Sequence, residues 1–478
     1  MAFKVLHARA PSWVLVETAS AAVFALLSML LVGRQIGPDA MGLATVALAA
    51  FLLLDVLASS LFSDAIIQCP QFGPSHAGST ASACLLAGTA AALVLIALGP
   101  VLAAVAHAPQ VTALTWALAP LLPVSAWSGA MSGLALRRHR FRLLAARALA
   151  GQPIALGAGL LAAAAGYGPW AMIANQAAAT AVTFVLLVTG GQTTRLRLDR
   201  AALRDLWPIA VPQIAAVFVT SGKYRLFLLA LGFSVGHSVV ALSHAAFRLL
   251  DGPLMVVFQS INRIGLPRMC AEQGHRARLA EAFGDMAQLQ ALLGLPVATG
   301  IALVAPAMVL TLLGPEWQAA ADAAQIVGFA STIGFLAGDA SSLFVAVNKP
   351  KRNIVVAVAS LVLPLALLIA LRPTTPEGVA LCWASQSVLL PPATAWLAVR
   401  ELGRSPWWLL GRTAPAVIAT LGMAVTVVAL RSAVPMRAGV QLIASMACGG
   451  AVYLGTAAAL LRLRMPTALV PRVPVAAE

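Results

Sequence analysis

The chain consists of long apolar segments separated by short polar breaks. Each segment is long enough for a helix to cross ~30 Å of hydrocarbon. Because backbone N–H and C=O groups must be satisfied inside lipid, these segments are predicted to be membrane-spanning helices. The predicted limits of about fourteen spans are 12–33, 41–67, 79–106, 111–136, 142–165, 168–190, 206–231, 237–262, 285–313, 318–347, 353–371, 377–399, 407–430 and 438–461.

Basic residues occupy every second break. One alternating set of loops, which includes both termini, contains 22 Lys and Arg residues, and the other set contains 4. Lysine and arginine are concentrated in the cytoplasmic loops of membrane proteins. The asymmetry therefore predicts that both termini are cytoplasmic. It also supports the number of spans, since one miscounted helix would break the alternation.

A short motif occurs twice. Residues 50–55 (AFLLLD) recur at 246–251 as AFRLLD, and residues 21–24 (AAVF) match residues 215–218. Two matches in the same order, at offsets of 196 and 194 residues, indicate a duplicated unit of six spans. Because six is even, both copies enter the membrane from the same side and are parallel repeats. The only mismatch in the longer motif is Leu52 against Arg248.

The repeat predicts the organisation of the chain. Spans one to six form an N-lobe over residues 1–200, and spans seven to twelve form a C-lobe over residues 201–402. Residues 403–478 hold spans thirteen and fourteen and a cytoplasmic tail. The predicted fold class is an all-α polytopic membrane protein with two parallel six-helix lobes around a central cavity and two C-terminal helices.

Composition excludes several classes of function. The 478 residues are 60% hydrophobic and only 10% charged, whereas soluble chains are about 25% charged. The net charge of +15 does not indicate nucleic-acid binding, because the basic residues lie at the ends of apolar segments. The five cysteines are scattered without a CxxC pair, so no metal site, disulfide framework or cofactor is predicted. Walker A and HExxH motifs are absent from the sequence, which argues against an enzyme.

Ionisable residues inside the predicted spans are the candidate functional groups, because charges within lipid are costly. Span seven contains Lys223 and Arg225, and span eight contains His244, Arg248 and Asp251 at i, i+4 and i+7 on one helix face. We predict that Lys223, Arg225 and Arg248 line a wet cavity and bind an anion, since arginine suits phosphate recognition. The alternative is that Arg248 and Asp251 form a structural pair.

Three residues are candidates for ion coupling. Asp55 and Asp251 are related by the repeat and are predicted to lie at equivalent depths in spans two and eight. An unperturbed histidine side chain titrates near neutral pH, so His244 could carry a proton. A structural role is the alternative for each of them.

The segment 267–283 allows two interpretations. Its basic and acidic residues surround Met269, Leu279, Ala282 and Phe283. The pattern is typical of an amphipathic helix on the membrane surface, or of a solvated linker.

Several short motifs resemble those of one membrane-protein family. They are Gly37–Leu43 between spans one and two, Phe62–Gln68, Gly265–Pro267, Leu313–Trp317 (LGPEW) and Asn348–Pro350. In order and spacing they resemble the Wzx-type flippases of polysaccharide and lipid-linked oligosaccharide synthesis, in the multidrug/oligosaccharidyl-lipid/polysaccharide exporter superfamily.

The resemblance implies a function. An undecaprenyl-diphosphate-linked oligosaccharide would be moved across the bacterial inner membrane by ion-coupled alternating access. Implied partners are this lipid-linked oligosaccharide, membrane lipids, and polysaccharide polymerase or export proteins, with no nucleic acid. Two alternatives stay open: a multidrug or cation antiporter of the same fold, which would prefer an acidic cavity, and a non-transporting subunit of a polysaccharide assembly complex.

Overall fold

The computed structural model describes residues 2–433 and 437–463, and every regular element among them is helical. The predicted cytoplasmic tail, with Arg464 and Arg472, lies outside the described residues. The helices are α1 (Ala2–Ser59), α2 (Ser63–Gln68), α3 (Pro74–Val105), α4 (Gln110–Leu118), α5 (Leu121–Arg137), α6 (Phe141–Ala164), α7 (Trp170–Thr189), α8 (Arg200–Val217), α9 (Lys223–Ser234), α10 (His237–Ala271), α11 (Arg276–Leu312), α12 (Ala319–Leu336), α13 (Ala340–Ala346), α14 (Lys351–Leu371), α15 (Pro376–Leu402), α16 (Pro406–Ala433) and α17 (Ala438–Leu463).

The prediction of an all-α polytopic membrane protein is confirmed. Within the described residues, eleven helical segments are long and apolar enough to cross a membrane, so the predicted number of about fourteen is not confirmed. One of these segments, Ser20–Gln68, includes most of the first predicted span and all of the second. Its helix is broken at Gly37, where φ is 77° and ψ is 170°, a backbone conformation that glycine adopts without steric cost.

The described chain forms two compact units, residues 1–244 and 245–478. In the first unit, α1 packs against α3, α5, α6 and α9, and α6 packs against α7. In the second unit, α11 packs against α12, α16 and α17. The lobe boundaries at residues 200 and 402 stay a prediction.

Small residues allow the helices of the first unit to approach closely. At Gly88 of α3, a Cβ atom would lie 2.7 Å from Ala126 Cβ and 2.7 Å from the Leu122 carbonyl oxygen on α5. Contacts of this kind are the usual basis of helix association in lipid, where apolar burial gives no driving force. The repeat motif is part of the same packing: Phe51 and its counterpart Phe247 are both 0% exposed, each within its own unit.

The segment 267–283 is neither an isolated surface helix nor a solvated linker. Helix α10 continues through Pro267 to Ala271, and α11 begins at Arg276. Met269, Leu279 and Phe283 are buried in a hydrophobic core that also contains Phe344 and Leu402. The apolar face that suggested membrane contact is therefore covered by protein, because α13 and α15 pack over it.

Prolines inside the helices leave carbonyl groups without their usual donor, and side chains of neighbouring helices replace it. Pro296 cannot donate to the carbonyl of Leu292, four residues before it in α11. The Tyr453 hydroxyl of α17 donates to that oxygen at 2.5 Å. In the first unit, Pro100 has the same effect on Ile96 in α3, and Trp116 Nε1 donates to the Ile96 oxygen at 3.2 Å.

We expect Tyr453→Phe to lower the free energy of unfolding by about 1 kcal/mol, because it leaves the Leu292 carbonyl without a donor in a buried site. In a Pro296→Ala background, the alanine N–H can bond that carbonyl, so the same substitution should cost clearly less. Thermal unfolding of the four purified proteins in one detergent measures this double-mutant cycle. Tyr167→Phe, at an exposed position, is the control. Equal costs in both backgrounds would show that Tyr453 does not compensate for the proline.

Candidate functional site

Predicted span seven is interrupted where its two cations lie. After α8, residues Phe218–Gly222 form a π-helical turn, and α9 begins at Lys223. The Arg225 Nη1 donates to the Ser221 carbonyl oxygen at 3.0 Å, so the guanidinium turns back toward this turn. Single π-helical turns inside α-helices occur frequently at functional sites. Lys223 and Arg225 are both partly buried.

Asp55 of α1 lies close to this interruption. The Ser125 hydroxyl of α5 forms a hydrogen bond with the Asp55 carboxylate, and Arg225 interacts with it electrostatically. The second carboxylate oxygen, Oδ1, is buried and has no hydrogen-bond partner among the described residues. The structure therefore brings together Asp55, which was predicted to couple ions, and Arg225, which was predicted to bind an anion. The sequence indicates no link between them, because 170 positions separate them.

His244 is held by a residue that the sequence analysis missed. A hydrogen bond of 2.8 Å joins Tyr224 Oη and His244 Nδ1, and the two rings stack with their centroids 6.0 Å apart. Tyr224 follows Lys223 directly, so α9 presents a lysine, a tyrosine and an arginine in consecutive positions. The available signal was Tyr224 itself, because it lies inside an apolar span and the whole chain contains only three tyrosines. The described part of the first unit thus contains Asp55, Lys223, Arg225 and His244.

The remaining predicted residues lie in the second unit. His244, Arg248 and Asp251 occur on one uninterrupted helix, α10, as their spacing predicted. Phe247 is buried and stacks on Trp383 of α15, with ring centroids 5.6 Å apart. Arg248 and Asp251 are partly buried on the same helix. Their roles in anion binding and ion coupling stay predictions.

A charged cluster in the second unit was not predicted. Asp285 of α11 is 2% exposed and accepts from Arg268 Nη2 at 2.7 Å and from Arg412 Nη1 at 3.3 Å. Arg412 also pairs with Glu281, which lies 3.6 Å from Arg404. An arginine inside span thirteen was the available signal for such a cluster. Each acid has two cationic partners, which is the arrangement that a structural network requires.

The first unit contains a similar intramembrane pair. Arg147 of α6 donates to Glu17 Oε1 of α1 at 2.7 Å and to Ser132 Oγ of α5 at 2.7 Å. The pair joins three helices. Its charges are satisfied by each other, so it needs no ligand.

Predicted span ten also contains a break with a buried acid. Asp339 precedes α13, and its Oδ1 accepts from the Ser342 N–H at 3.1 Å and from the Ser341 hydroxyl at 3.1 Å. Its Oδ2 is buried without a hydrogen-bond partner among the described residues. Gln290 of α11 donates to the Gly334 carbonyl at 3.1 Å, near the end of α12. Side-chain hydrogen bonds therefore hold the backbone on both sides of the break.

A sequence model of a family described as "Polysaccharide biosynthesis protein" matches residues 31–322, which is more than half of the chain. The chain belongs to this polysaccharide biosynthesis protein family. The predicted resemblance to polysaccharide flippases is confirmed at this level. No protein of curated function matches the sequence significantly.

Solved structures show the fold of this family member. The inward closed conformation of the lipid II flippase MurJ matches with a TM-score of 0.75 and 11% identity, over 94% of this chain and 99% of that chain. An inward-facing multidrug resistance MATE family transporter of the MOP superfamily matches with a TM-score of 0.64 and 14% identity, over 80% of this chain and 94% of that chain.

A third structure has the same fold. It is a MOP superfamily transporter from Pyrococcus furiosus with a binding pocket of reversed polarity, and it matches with a TM-score of 0.52 and 13% identity, over 83% of this chain and 96% of that chain. The structural neighbours of this family member are transporters and flippases.

A charged cluster at the end of α15 connects this helix with the Asn348–Pro350 turn and with the start of α14. Glu401 lies beyond the predicted span 377–399 and accepts from Lys349 Nζ at 2.5 Å and from Arg352 Nη1 at 3.0 Å. The hydrogen bond from Lys349 is the main reason that the pKa of Glu401 lies below its ordinary value, and Arg352 adds to the effect. Lys349 belongs to the Asn348–Pro350 turn that resembles the family motif. This turn is therefore tied to the end of α15.

We expect the Glu401 cluster to make stability depend on pH. Because folding lowers the pKa of this carboxyl, its contribution is present above the ordinary glutamate range and is lost as pH falls through the lowered value. Glu401→Gln should therefore reduce the melting temperature at pH 7, and the difference from wild type should shrink progressively as pH falls below the ordinary glutamate pKa of about 4.3. Glu377→Gln, at the opposite end of α15, is the matched control. A difference that stays constant from pH 7 to pH 3 would contradict the prediction.

Proposed function

We propose that this protein is a flippase that moves undecaprenyl-diphosphate-linked oligosaccharide repeat units across the bacterial inner membrane. The observation that carries the proposal is the pair of intramembrane cations at the π-helical turn of span seven, Lys223 and Arg225. A cationic site is what a diphosphate requires. The family supports a role in polysaccharide synthesis. MurJ, which has the same fold, is named as a flippase of lipid II.

The diphosphate binds to the cations of the two central spans. Arg225 supplies a planar guanidinium that can bond two phosphate oxygens together, and Lys223 supplies a compact charge. Arg248, which replaces the Leu52 of the first repeat, is the third member of the proposed set. The prenyl chain stays in lipid, because its transfer to a polar cavity would expose apolar surface to water.

The contact between Arg225 and Asp55 offers a route for coupling. In the structure, the Arg225 guanidinium interacts electrostatically with Asp55. A diphosphate bound to Arg225 competes with Asp55 for the guanidinium charge. The Asp55 carboxylate then binds a proton or a sodium ion as its counter-charge. His244, with its hydrogen bond to Tyr224, and Asp251 are the other candidate carriers. Substrate and ion thus bind to neighbouring groups whose charges depend on each other.

Location and partners follow from the same proposal. Both termini are cytoplasmic, and the basic loops face the cytoplasm, in agreement with the 22 to 4 distribution of Lys and Arg. Polysaccharide polymerase and export proteins receive the translocated unit on the other side. The sugar is then added to a surface polysaccharide or exopolysaccharide.

A multidrug or cation antiporter is the second candidate, because a MATE transporter shares the fold. A cation substrate would favour an acidic site, and Lys223 and Arg225 oppose that. The same reconstituted protein separates the candidates, since a flippase moves a labelled lipid-linked sugar and an antiporter moves an organic cation.

We expect Arg225→Ala to reduce transport by at least about tenfold, since a hydrogen bond to a charged group contributes about 1.5–3 kcal/mol. Lys223→Ala and Arg248→Ala should reduce it in the same direction. The assay follows a fluorescent undecaprenyl-diphosphate oligosaccharide in proteoliposomes, with protein recovery in the membrane measured for each variant. Arg200→Ala, on the exposed start of α8, is the control. Wild-type transport by the Arg225 variant at normal recovery would reject the site.

A separate experiment tests coupling. Asp55→Asn keeps the shape of the side chain and its hydrogen bonds but cannot become charged. We expect the variant to lose the acceleration produced by an imposed proton or sodium gradient, while exchange without a gradient continues. Asp205→Asn, at an exposed position on α8, should respond as wild type does. An unchanged gradient response in the Asp55 variant would exclude it as the carrier.

A further inference from the structure

A basic cleft lies in the first unit, away from the cations of span seven. Its volume is about 840 Å³. Three segments form it: the start of α3, the end of α5, and the non-helical linker between α7 and α8. The lining residues are Phe72, Gly73, Pro74, Ala77, Leu134, Arg137, Arg138, Thr194, Arg195, Leu196 and Arg197. The lining includes four arginines and no acid.

Contacts with α3 hold the linker in position. The Thr194 hydroxyl donates to the Ala77 carbonyl oxygen at 3.4 Å, and the Asp199 N–H donates to Ser79 Oγ at 2.9 Å. Between them, the backbone lies so close to Gly78 that a Cβ atom there would be 2.5 Å from the Arg195 carbonyl oxygen. The backbone that carries Arg195 and Arg197 is thus arranged before any ligand arrives, which reduces the entropy that binding must overcome.

The four arginines have different roles. Arg137 is used within the fold: its Nη1 donates to the carbonyl oxygens of Ile66 at 2.6 Å and Cys69 at 2.8 Å, and its guanidinium lies over the Phe72 ring. Arg138 donates to Gln192 Oε1 at 3.2 Å.

Arg195 and Arg197 differ from these two. Both are exposed, and neither forms a salt bridge or side-chain hydrogen bond within the described parts of the chain. Helix α3 begins in the cleft, and its N-terminal dipole adds to the positive potential. The cleft therefore has two guanidinium groups available for an anion.

The neighbouring leucines indicate the source of that anion. Arginines and leucines alternate from Arg195 to Leu198, and Leu196 and Leu198 are 50% and 58% exposed. Exposed leucines next to exposed arginines are typical of protein segments at the membrane interface, where the apolar groups enter the acyl boundary and the cations contact headgroups. A free phosphate ion would make no favourable contact with the leucine side chains.

We propose that this cleft binds the phosphate group of an anionic membrane lipid. Arg195 and Arg197 contact the phosphate oxygens, and Leu196 and Leu198 contact the start of the acyl chains. The site is separate from the proposed transport site and does not depend on transport. The lipid would hold the linker that joins α7 to α8 against the membrane surface.

The test measures binding of a short-chain phosphatidylglycerol to the full-length protein in a non-ionic detergent. Short-chain phosphatidylcholine is the zwitterionic comparison. We expect Arg195→Gln with Arg197→Gln to weaken binding of phosphatidylglycerol by about tenfold or more, because each surface cation contributes about 1 kcal/mol toward anionic lipid. Arg200→Gln with Arg204→Gln removes the same charge from exposed positions outside the cleft and should leave binding within about twofold of wild type.

Two further variants separate charge, fold and ligand source. Arg195→Lys with Arg197→Lys keeps the charges and should bind closer to wild type than the glutamine variant does. Leu196→Ser with Leu198→Ser should also weaken binding of the lipid, although both arginines are kept. Inorganic phosphate should displace the lipid no better than chloride at equal ionic strength.

Three results would overturn the proposal. Equal losses in the two glutamine double variants would show unspecific attraction of lipid to a basic surface. Displacement of the lipid by millimolar inorganic phosphate, beyond the effect of chloride, would identify the cleft as a site for free phosphate. Equal binding of phosphatidylglycerol and phosphatidylcholine by the wild type would show that the cleft does not recognise an anion.

Discussion

The structure depends on one constraint: inside hydrocarbon, each polar group of the backbone needs a partner from the protein. Regular helices satisfy most of them. Where Pro296 and Pro100 remove a donor, Tyr453 and Trp116 of neighbouring helices supply one. A side chain therefore compensates for each of these irregularities, and the same bond fixes how two helices pack. At these positions, a specific side-chain contact satisfies the carbonyl group that the irregular backbone leaves without its usual donor.

The same constraint separates structural charges from candidate functional ones. Glu17 and Arg147 satisfy each other, and Asp285 accepts from two arginines. Such pairs join helices and need no ligand. The charges near the π-helical turn are arranged differently. In the described part of the chain, one buried oxygen of Asp55 has no hydrogen-bond partner, while Arg225 interacts with the same carboxylate. Such an arrangement is expected at a site where a charged group can exchange its partner within the protein for a substrate or an ion.

The repeat connects the fold with the proposed function. Phe51 and Phe247 are buried alike, so the motif supplies a packing residue in each copy. One helical position further on, the copies differ, with Leu52 in one and Arg248 in the other. The two copies therefore share a buried phenylalanine and differ at the neighbouring position. At the basic cleft, the linker between α7 and α8 lies against α3 in a close approach that Gly78 permits.

Periodicity, hydropathy and loop charge determined the class of this protein. A helix in lipid needs only a long apolar segment, and the polar breaks between such segments can be read from the sequence. They also made Asp55, Lys223, Arg225, His244, Arg248 and Asp251 candidates for function, since a charged residue stands out in an apolar segment. Their functional roles stay predictions. Tertiary structure decided which charges meet. The link from Asp55 to Arg225 joins residues 170 positions apart, and the bond from Tyr224 to His244 joins two successive helices. The burial of Met269 and Phe283 reverses a surface that the sequence pattern had predicted. Local sequence patterns do not predict such contacts, because the packing of helices in a bundle depends on the shapes of their surfaces and on the partners that their polar groups require.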